Sequence, residues 1–336
     1  MKAAGPSVMA LGVTVAGVTG LEALANEDFP RFAAHDWFIG PDYEPLLTAF
    51  ARHDSVPGFE TRCEALVVDA LADMLTRLPK GTPQGTCTVV LVLPEICVVL
   101  PEHRLELLAK HLLAESVGPL REAGLIPSRR LYGFGGNAGA WQALEEWDRQ
   151  DSLIVVAVDS YADADRLDAL ASRRALFCKE NPFGRIPGEA CGVMYLRRAA
   201  SEGIRLQGAA TAIEPVREGI EGQPDCAALS DVCRIAVGEG ASRQLIATDW
   251  NNSRYRASEL GLVVPRLTPD VLDGGAGLSR PALDFGDIGA ASAPVALAWL
   301  LASRAGWHHA LIMAGSEYSG QRAAAAFDLH HPGDHA

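Results

Sequence analysis

Hydrophobic residues follow two alternating patterns along the chain. Uninterrupted runs rich in β-branched residues are typical of buried strands, and apolar positions at helical spacing, as in residues 60–78, predict helices. Strands are predicted at residues 8–18, 86–93, 130–134, 152–158, 190–196, 206–212, 245–248, 309–313 and 323–329, and helices at 60–78, 102–123, 137–147, 226–237 and 291–301. The alternation predicts an α/β fold with a largely parallel sheet whose faces are covered.

The N-terminal apolar run has two interpretations. Lys2, the run at 8–24 and the small residues at 23–25 resemble a signal peptide. Glycines and the many Val and Thr residues favour instead a first core strand at 8–18. Residues 26–59, with four prolines, are predicted to form loop and short helices. No stretch of the sequence is long and apolar enough to predict a membrane span.

The net charge and the cysteine content exclude some classes of function for this chain. The chain has 336 residues and a net charge of 29 − 42 = −13. General affinity for nucleic acid or for an anionic membrane is therefore not expected, because both need a basic face. The seven cysteines are scattered, with no C-x-x-C pair and no His at zinc spacing. We expect no structural metal, no cofactor, and a reducing, cytoplasmic setting.

Five segments carry a resemblance to a known family. They are residues 135–144 (GGNAGAWQAL), 156–160 (VAVDS), 181–193 (NPFGRIPGEACGV), 285–293 (FGDIGAASA) and, more weakly, 315–320 (GSEYSG). In this order and spacing they resemble the β-ketoacyl synthases of the thiolase superfamily. The resemblance implies a thiolase-like fold of two similar βαβαβ halves, residues 1–200 and 201–336, packed as one unit in α-β-α-β-α layers. It also implies a dimer built edge to edge.

The catalytic positions of that family hold other residues in this chain. The alignment puts Asn137 where the nucleophilic Cys stands, Asp249 where the first His stands, and Ala290 where the second stands. A carboxamide is not a practical acyl acceptor, and an ionised Asp repels a developing enolate. We therefore interpret the chain as catalytically degenerate. Asn is a good helix N-cap, so Asn137 is expected to cap the helix that follows it.

Five residues are candidate ligand contacts: Asn137, Trp141, Asp249, Glu317 and Tyr318. The bulky Trp141 is hypothesised to fill the former acyl channel. Glu317 and Tyr318 stand where the family has Gly-Phe, which suggests a rebuilt pocket wall.

Two functions remain open at this point. The first is a non-catalytic binding, scaffold or accessory subunit, associated with polyketide or fatty-acid synthesis or with a secretion system. Its partners would be a second copy or a related subunit, and an acyl carrier or accessory protein. The second is an acyltransferase or thioesterase acting on acyl thioesters. It would use Asp249 as the base and an oxyanion hole retained at Asn137. The loss of all three family residues favours the first.

Overall fold

The predicted elements form with shifts of a few residues at their ends. A computed structural model describes residues 5–16, 18–24, 32–50, 58–82, 85–147, 152–198, 200, 203–217, 225–238, 244–267, 278–303 and 307–329. The strands are β1 Ser7–Val15, β2 Val18–Thr19, β3 Ala33–Ile39, β4 Pro45–Thr48, β5 Gly85–Val92, β6 Leu125–Gly133, β7 Ser152–Ser160, β8 Glu189–Arg197, β9 Ile204–Ile213, β10 Leu245–Thr248, β11 Leu278–Ser279, β12 His309–Gly315 and β13 Gln321–Asp328.

The helices are α1 Leu21–Leu24, α2 Phe59–Thr76, α3 Glu102–Glu122, α4 Gly139–Glu145, α5 Ala164–Ser172, α6 Ala227–Val237, α7 Arg254–Val263, α8 Ala282–Phe285 and α9 Ser292–Ser303. Single turns of 3-10 helix occupy Gly136–Ala138, Val264–Arg266 and Gly289–Ala291. Within the described ranges, none of these helices combines the length and the apolar character that crossing a membrane requires.

Eleven of the described strands form one sheet, and its strand order repeats. The order is β11-β10-β12-β13-β9-β1-β8-β7-β5-β6, with β2 paired to β1. The run β1-β8-β7-β5-β6 follows the same path as β9-β13-β12-β10-β11, so the two sets of five strands have the same topology. They meet where Ser7 pairs with Arg205 and Val8 with Ile204. The division of the chain at residue 200 stays a prediction.

The prediction of a largely parallel sheet is wrong, because the sheet is mixed. Strand β5 is parallel to β6 and β7, and β10 is parallel to β11 and β12. Strands β8 and β13 run antiparallel to their neighbours. Residues 316–320 alone join β12 to β13. A parallel crossover needs about a dozen residues, so this connection can only reverse the chain.

Three hydrophobic clusters separate the layers. One lies between β5, β7 and the helices α2 and α3. A second joins α6 and α7 to β10, β12 and β13. The third, between the two sets of strands, holds α4 and α9, with Trp141 and Leu297 among its members. The layers therefore alternate α-β-α-β-α, as the resemblance implied, and the mixed α/β fold is thiolase-like.

Two local predictions near the N-terminus have different outcomes. Residues 7–15 form the buried strand β1 between β8 and β9, which confirms the strand interpretation. The strand ends at Val15 because Ala16 has a positive φ of 44°. The loop predicted at 26–59 is wrong in part, since β3 and β4 pair as an antiparallel hairpin. Residues 26–31 and 51–57 lie outside the described residues, as does the His330-His331 tail.

Candidate functional site

The positions aligned with the family's catalytic residues come together. Asn137 lies in the 3-10 turn before α4, Asp249 follows β10, and Ala290 lies in the 3-10 turn before α9. The Nδ2 group of Asn137 donates to Asp249 Oδ2 at 2.9 Å and to Ser292 Oγ at 3.5 Å. Ala290, two residues before Ser292, is fully buried. The segment at Asn137 lies more than 100 residues before the other two in sequence, and all three meet at one point between the two sets of strands.

Asn137 does not cap the helix, contrary to the prediction. It sits inside the 3-10 turn, and α4 begins at Gly139 without a side-chain cap from its own N-cap residue. The free N–H of Ala138 instead donates to Ser316 Oγ at 3.1 Å, and that hydroxyl donates to the carbonyl of Gly135 at 2.6 Å. The hydroxyl of Ser316, distant in sequence, therefore accepts from a backbone N–H at the start of the helix. The Asn137 side chain is left to bind Asp249.

Asp249 is fully engaged by its own chain. Its Oδ2 accepts from Asn137 and from the N–H of Gly315 at 2.8 Å. Its Oδ1 accepts from the guanidinium of Arg256. Arg256 also pairs with Glu259, and Arg322 Nε donates to Glu259 Oε1 at 2.5 Å.

These four buried residues, Asp249, Arg256, Glu259 and Arg322, form a chain of alternating charge that we call the Asp249 charge chain. Burial acts to lower the pKa of Arg256, but the carboxylates of Asp249 and Glu259 outweigh it and the pKa is raised. Arg256 is thus held as a cation. Each buried charge has an opposite neighbour, which offsets the cost of removing it from water.

A second polar cluster surrounds Asp287, which lies between α8 and the 3-10 turn at Gly289–Ala291. Its Oδ2 accepts from Asn251 at 2.8 Å, from Arg185 at 3.2 Å and from the Tyr161 hydroxyl at 3.3 Å. Burial raises the pKa of Tyr161 well above its ordinary range, so the phenol stays a donor. Arg185 reaches across to Glu317 Oε2 at 2.9 Å. The cluster is thereby tied to the loop at 316–320.

Glu317 and Tyr318 form the rim of a small cavity and are held by arginines. Arg173 donates to Glu317 Oε1 at 2.5 Å and to the Tyr318 hydroxyl at 3.2 Å. Burial acts to raise the pKa of Glu317, but Arg185 and Arg173 outweigh it, so the pKa lies below its usual range. Glu317 is therefore an ion-pair partner, and both its oxygens are occupied.

The backbone N–H of Ala290 also has a carboxylate acceptor within the chain. Its N–H donates to Asp159 Oδ2 at 3.1 Å, while Arg166 donates to Asp159 Oδ1 at 2.6 Å. Burial raises the pKa of Asp159. A Cβ on the preceding residue, Gly289, would stand 1.8 Å from Asp159 Oδ2, and Gly289 has a φ of +50°. Only glycine fits there, so this contact is built into the turn.

The cavity at the site is too small for an acyl chain. It has a volume of about 70 Å³, well below the roughly 300–1,000 Å³ of ordinary ligand pockets. Its walls include Asn137, Arg185, Glu317 and Tyr318. Trp141 does not line it: the ring is fully buried and packs against Phe327 at a centroid distance of 5.5 Å. Side chains fill the space on the Trp141 side.

Comparison with known proteins gives the fold a name. No protein-family model and no curated protein matches the sequence. Among solved structures, the ishigamide ketosynthase/chain length factor superposes with a TM-score of 0.70 at 17% identity, covering 97% of this chain and 99% of that one. This chain has the thiolase-like fold of the β-ketoacyl synthases.

Two further structures agree. A type II PKS acyl-carrier protein in complex with its ketosynthase gives a TM-score of 0.70 at 11% identity, over 98% of this chain and 100% of that one. A β-ketoacyl synthase from Burkholderia phymatum STM815 gives 0.69 at 11% identity, over 98% and 100%. At such identities the likeness concerns the fold alone.

Within this β-ketoacyl synthase-like fold, the backbone donors of residues 315–319 beside the site are already used. The N–H of Gly315 donates to Asp249 and that of Ser316 to the carbonyl of Gln321 at 2.8 Å. The N–H groups of residues 317–319 donate to Glu95 at 2.6 to 3.1 Å. An oxyanion hole needs donors that await a ligand, and these have acceptors from the chain itself.

The sequence reasoning missed the residues that close the site, chiefly Glu95, Arg256 and Ser316. One signal was available for Glu95, because it follows the buried strand β5 directly and the carboxyl ends of such strands carry the sites of α/β folds. Arg256, seven residues after Asp249 on the following helix, had no distinguishing pattern.

A possible cation site lies elsewhere. Asp42, Cys178 and Glu180 bring three ligand atoms within 4.8 Å of one another. None of them lines the cavity at Asn137. The cysteine spacing did not predict this group, because Asp42 lies far from Cys178 and Glu180 in sequence. Cys191, by contrast, is a buried core thiol as its strand pattern suggests, and burial raises its pKa.

Proposed function

We propose that this protein is a non-catalytic β-ketoacyl synthase-like subunit that binds a related subunit along the free edge of its sheet. The observation that carries the proposal is the state of Asn137 and Asp249. The sequence alignment assigns them to the family's catalytic positions, and in the structure Asn137 binds Asp249, which in turn pairs with Arg256. Groups committed to buried pairs are poor reagents, because releasing them leaves an uncompensated charge.

The alternative, hydrolysis of an acyl thioester with Asp249 as base, is disfavoured by the same contacts. A general base must have an oxygen within reach of a water and must be able to take its proton. Both oxygens of Asp249 already accept hydrogen bonds, and Oδ1 faces the Arg256 cation. The cavity beside it holds about 70 Å³, too little for a thioester and its acyl chain.

The free edge of the sheet is strand β6. Among the described strands it has β5 as its one neighbour, and it runs for nine residues. Ile126 and Leu131 are 49% and 43% exposed. An open groove of about 670 Å³ lies along it, with Val90, Phe134 and Trp147 in its walls. The strand also carries one proline and two arginines, and no described strand pairs with its outer side. A nine-residue edge strand that is open on one side suits pairing with another chain.

The nature of the partner is argued from the solved structures of the same fold. One of them joins a ketosynthase with a chain length factor, and another holds an acyl-carrier protein with its ketosynthase. A related β-ketoacyl synthase-like subunit is therefore our first candidate for the strand paired with β6. A second copy of this chain is the other possible partner, and an acyl carrier or accessory protein would bind the resulting dimer. We place this assembly in the cytoplasm.

The pairing is tested by sedimentation of the purified chain, alone and mixed with a candidate subunit. We expect Leu131→Glu on β6 to weaken association at least about tenfold, since it puts a charge into an apolar interface. Ile235→Glu is the matched control, because Ile235 is exposed on α6, which packs against the other set of strands. Self-association of the wild type would identify a homodimer, and association only in the mixture a heterodimer. If the two variants associated equally well, β6 would not be the interface.

The lack of chemistry is tested separately. Wild type and Asp249→Ala are compared in hydrolysis assays over a series of acyl thioesters. We expect both to match the uncatalysed rate. Turnover by the wild type that Asp249→Ala abolishes would restore the enzymatic alternative.

A further inference from the structure

The backbone of the loop at residues 316–320 binds the carboxylate of Glu95. Glu95 Oε2 accepts from the N–H of Glu317 at 2.6 Å and from that of Tyr318 at 3.1 Å. Its Oε1 accepts from Tyr318 at 3.1 Å and from Ser319 at 2.7 Å. Three successive N–H groups thus converge on both oxygens of one carboxylate. Such a concave run of backbone donors is an anion-binding nest.

The fold makes room for this carboxylate. Glu95 lies just beyond β5, and its side chain passes over Gly136, in the 3-10 turn before Asn137. A Cβ on Gly136 would approach Glu95 Cγ to 2.7 Å, and Gly136 has a φ of +54°. The glycine therefore permits the close approach as well as the turn. Tyr318 and Ser319 are exposed, so the nest opens towards solvent.

The position of Glu95 also closes the site. Glu95, Gly136, Asn137 and Glu317 all line the small cavity. By binding the loop on one side and lying against the 3-10 turn on the other, Glu95 joins the two segments that border Asn137. Arg173 and Arg185 hold the loop independently through the Glu317 side chain. The loop therefore has two anchors, and one is a carboxylate in a nest.

We propose that residues 317–319 form a carboxylate-binding site that Glu95 occupies as an internal ligand, and that a small monocarboxylate takes the site when Glu95 is removed. The geometry selects a carboxylate as the ligand. The N–H groups of residues 317 and 318 donate to one oxygen and those of residues 318 and 319 to the other, so the three donors fit two oxygens of one group. The site is distinct from the proposed pairing along β6 and does not depend on it. Glu95 thereby serves as an internal anchor of the loop.

The test is chemical rescue of Glu95→Ala in the full chain. We expect the substitution to lower the Tm by roughly 3–8 °C, because three backbone donors lose a charged acceptor. Sodium formate or acetate should then raise the Tm of the variant by about 2 °C or more beyond the effect of sodium chloride at equal ionic strength. The wild type should show no such difference, since its site is filled.

The control is Glu146→Ala, which removes an exposed carboxylate whose contact is the side chain of Gln142 at 2.8 Å. It should respond equally to acetate and chloride. Broadening of the NMR signal of ¹³C-formate by Glu95→Ala, and by neither wild type nor Glu146→Ala, is the direct measure of binding. If Glu95→Ala does not fold, Glu95→Ser serves in both measurements. A folded variant that acetate stabilises no more than chloride, and that leaves the formate signal sharp, would overturn the proposal.

Discussion

The Asn137 site and the β6 edge lie in the same fold and differ in what they expose to a partner. At the site, side chains and backbone donors are bound by other parts of the chain, down to both oxygens of Asp249 and Glu317. At the edge, β6 pairs on one side with β5 and exposes apolar residues beside an open groove. Available backbone and apolar surface are what a partner binds.

The difference separates the two roles that a β-ketoacyl synthase-like fold can serve. A reactive centre needs groups held ready and unneutralised, whereas a structural centre neutralises them. In this protein Asn137 and Asp249 join the two sets of strands. In the proposed function, binding is the role of the edge. Changes at the site should therefore affect stability without affecting association, and changes at β6 should do the reverse.

The largest effect is expected from Arg256→Ala. It leaves Asp249 and Glu259 buried without their shared cation, and breaking a buried pair in this way costs about 3–5 kcal/mol. Urea unfolding measures the loss. The control is Arg254→Ala two residues earlier, an exposed residue stacked over Phe183 at 4.4 Å, which should cost about 1 kcal/mol or less. Where Arg256→Ala remains folded, its association along β6 should equal that of the wild type. A loss below that of the control would mean that the charge chain does not stabilise the site.

A smaller, pH-dependent effect is expected from Glu317→Gln. Glu317 has a lowered pKa in the folded protein, so its contribution to stability is complete above the unfolded value near about 4.3 and is lost as the pH falls through the folded pKa. The substitution should cost about 1–3 kcal/mol at pH 7, with the gap to the wild type closing below roughly pH 4. Unfolding curves between pH 3 and 7, with the exposed Glu122→Gln as control, measure this. A gap that is constant over that range would contradict the ion-pair role.

The smallest effect is expected from Trp141→Phe. Among the described residues, Trp141 Nε1 is buried without a hydrogen-bond partner. Phe removes that unsatisfied donor and keeps a ring against Phe327, at the cost of some volume. The two changes oppose each other, so the free energy of unfolding should move by less than about 1.5 kcal/mol. Thermal unfolding measures it. A loss as large as that of Arg256→Ala would show that the indole volume is essential to the closed site.

The sequence by itself determined the fold and the convergence of its aligned positions. Hydrophobic periodicity predicted strands and helices, because each element must bury one face. The thiolase-like architecture was implied by the family resemblance of the ordered segments at 135–144, 156–160, 181–193 and 285–293. The family alignment also brought Asn137 to Asp249, which the structure joins at 2.9 Å.

Tertiary structure decided what those positions do. Local rules made Asn137 a helix cap. Ser316, 178 positions after Ala138, instead accepts from the Ala138 N–H and leaves Asn137 to bind Asp249. Arg256, Arg322 and Glu95 bind the charged and backbone groups around the site through contacts that no local sequence pattern predicts. Periodicity reports which face of an element is buried. Whether a buried polar group is free to react depends on its partners, and those are set by how distant segments pack.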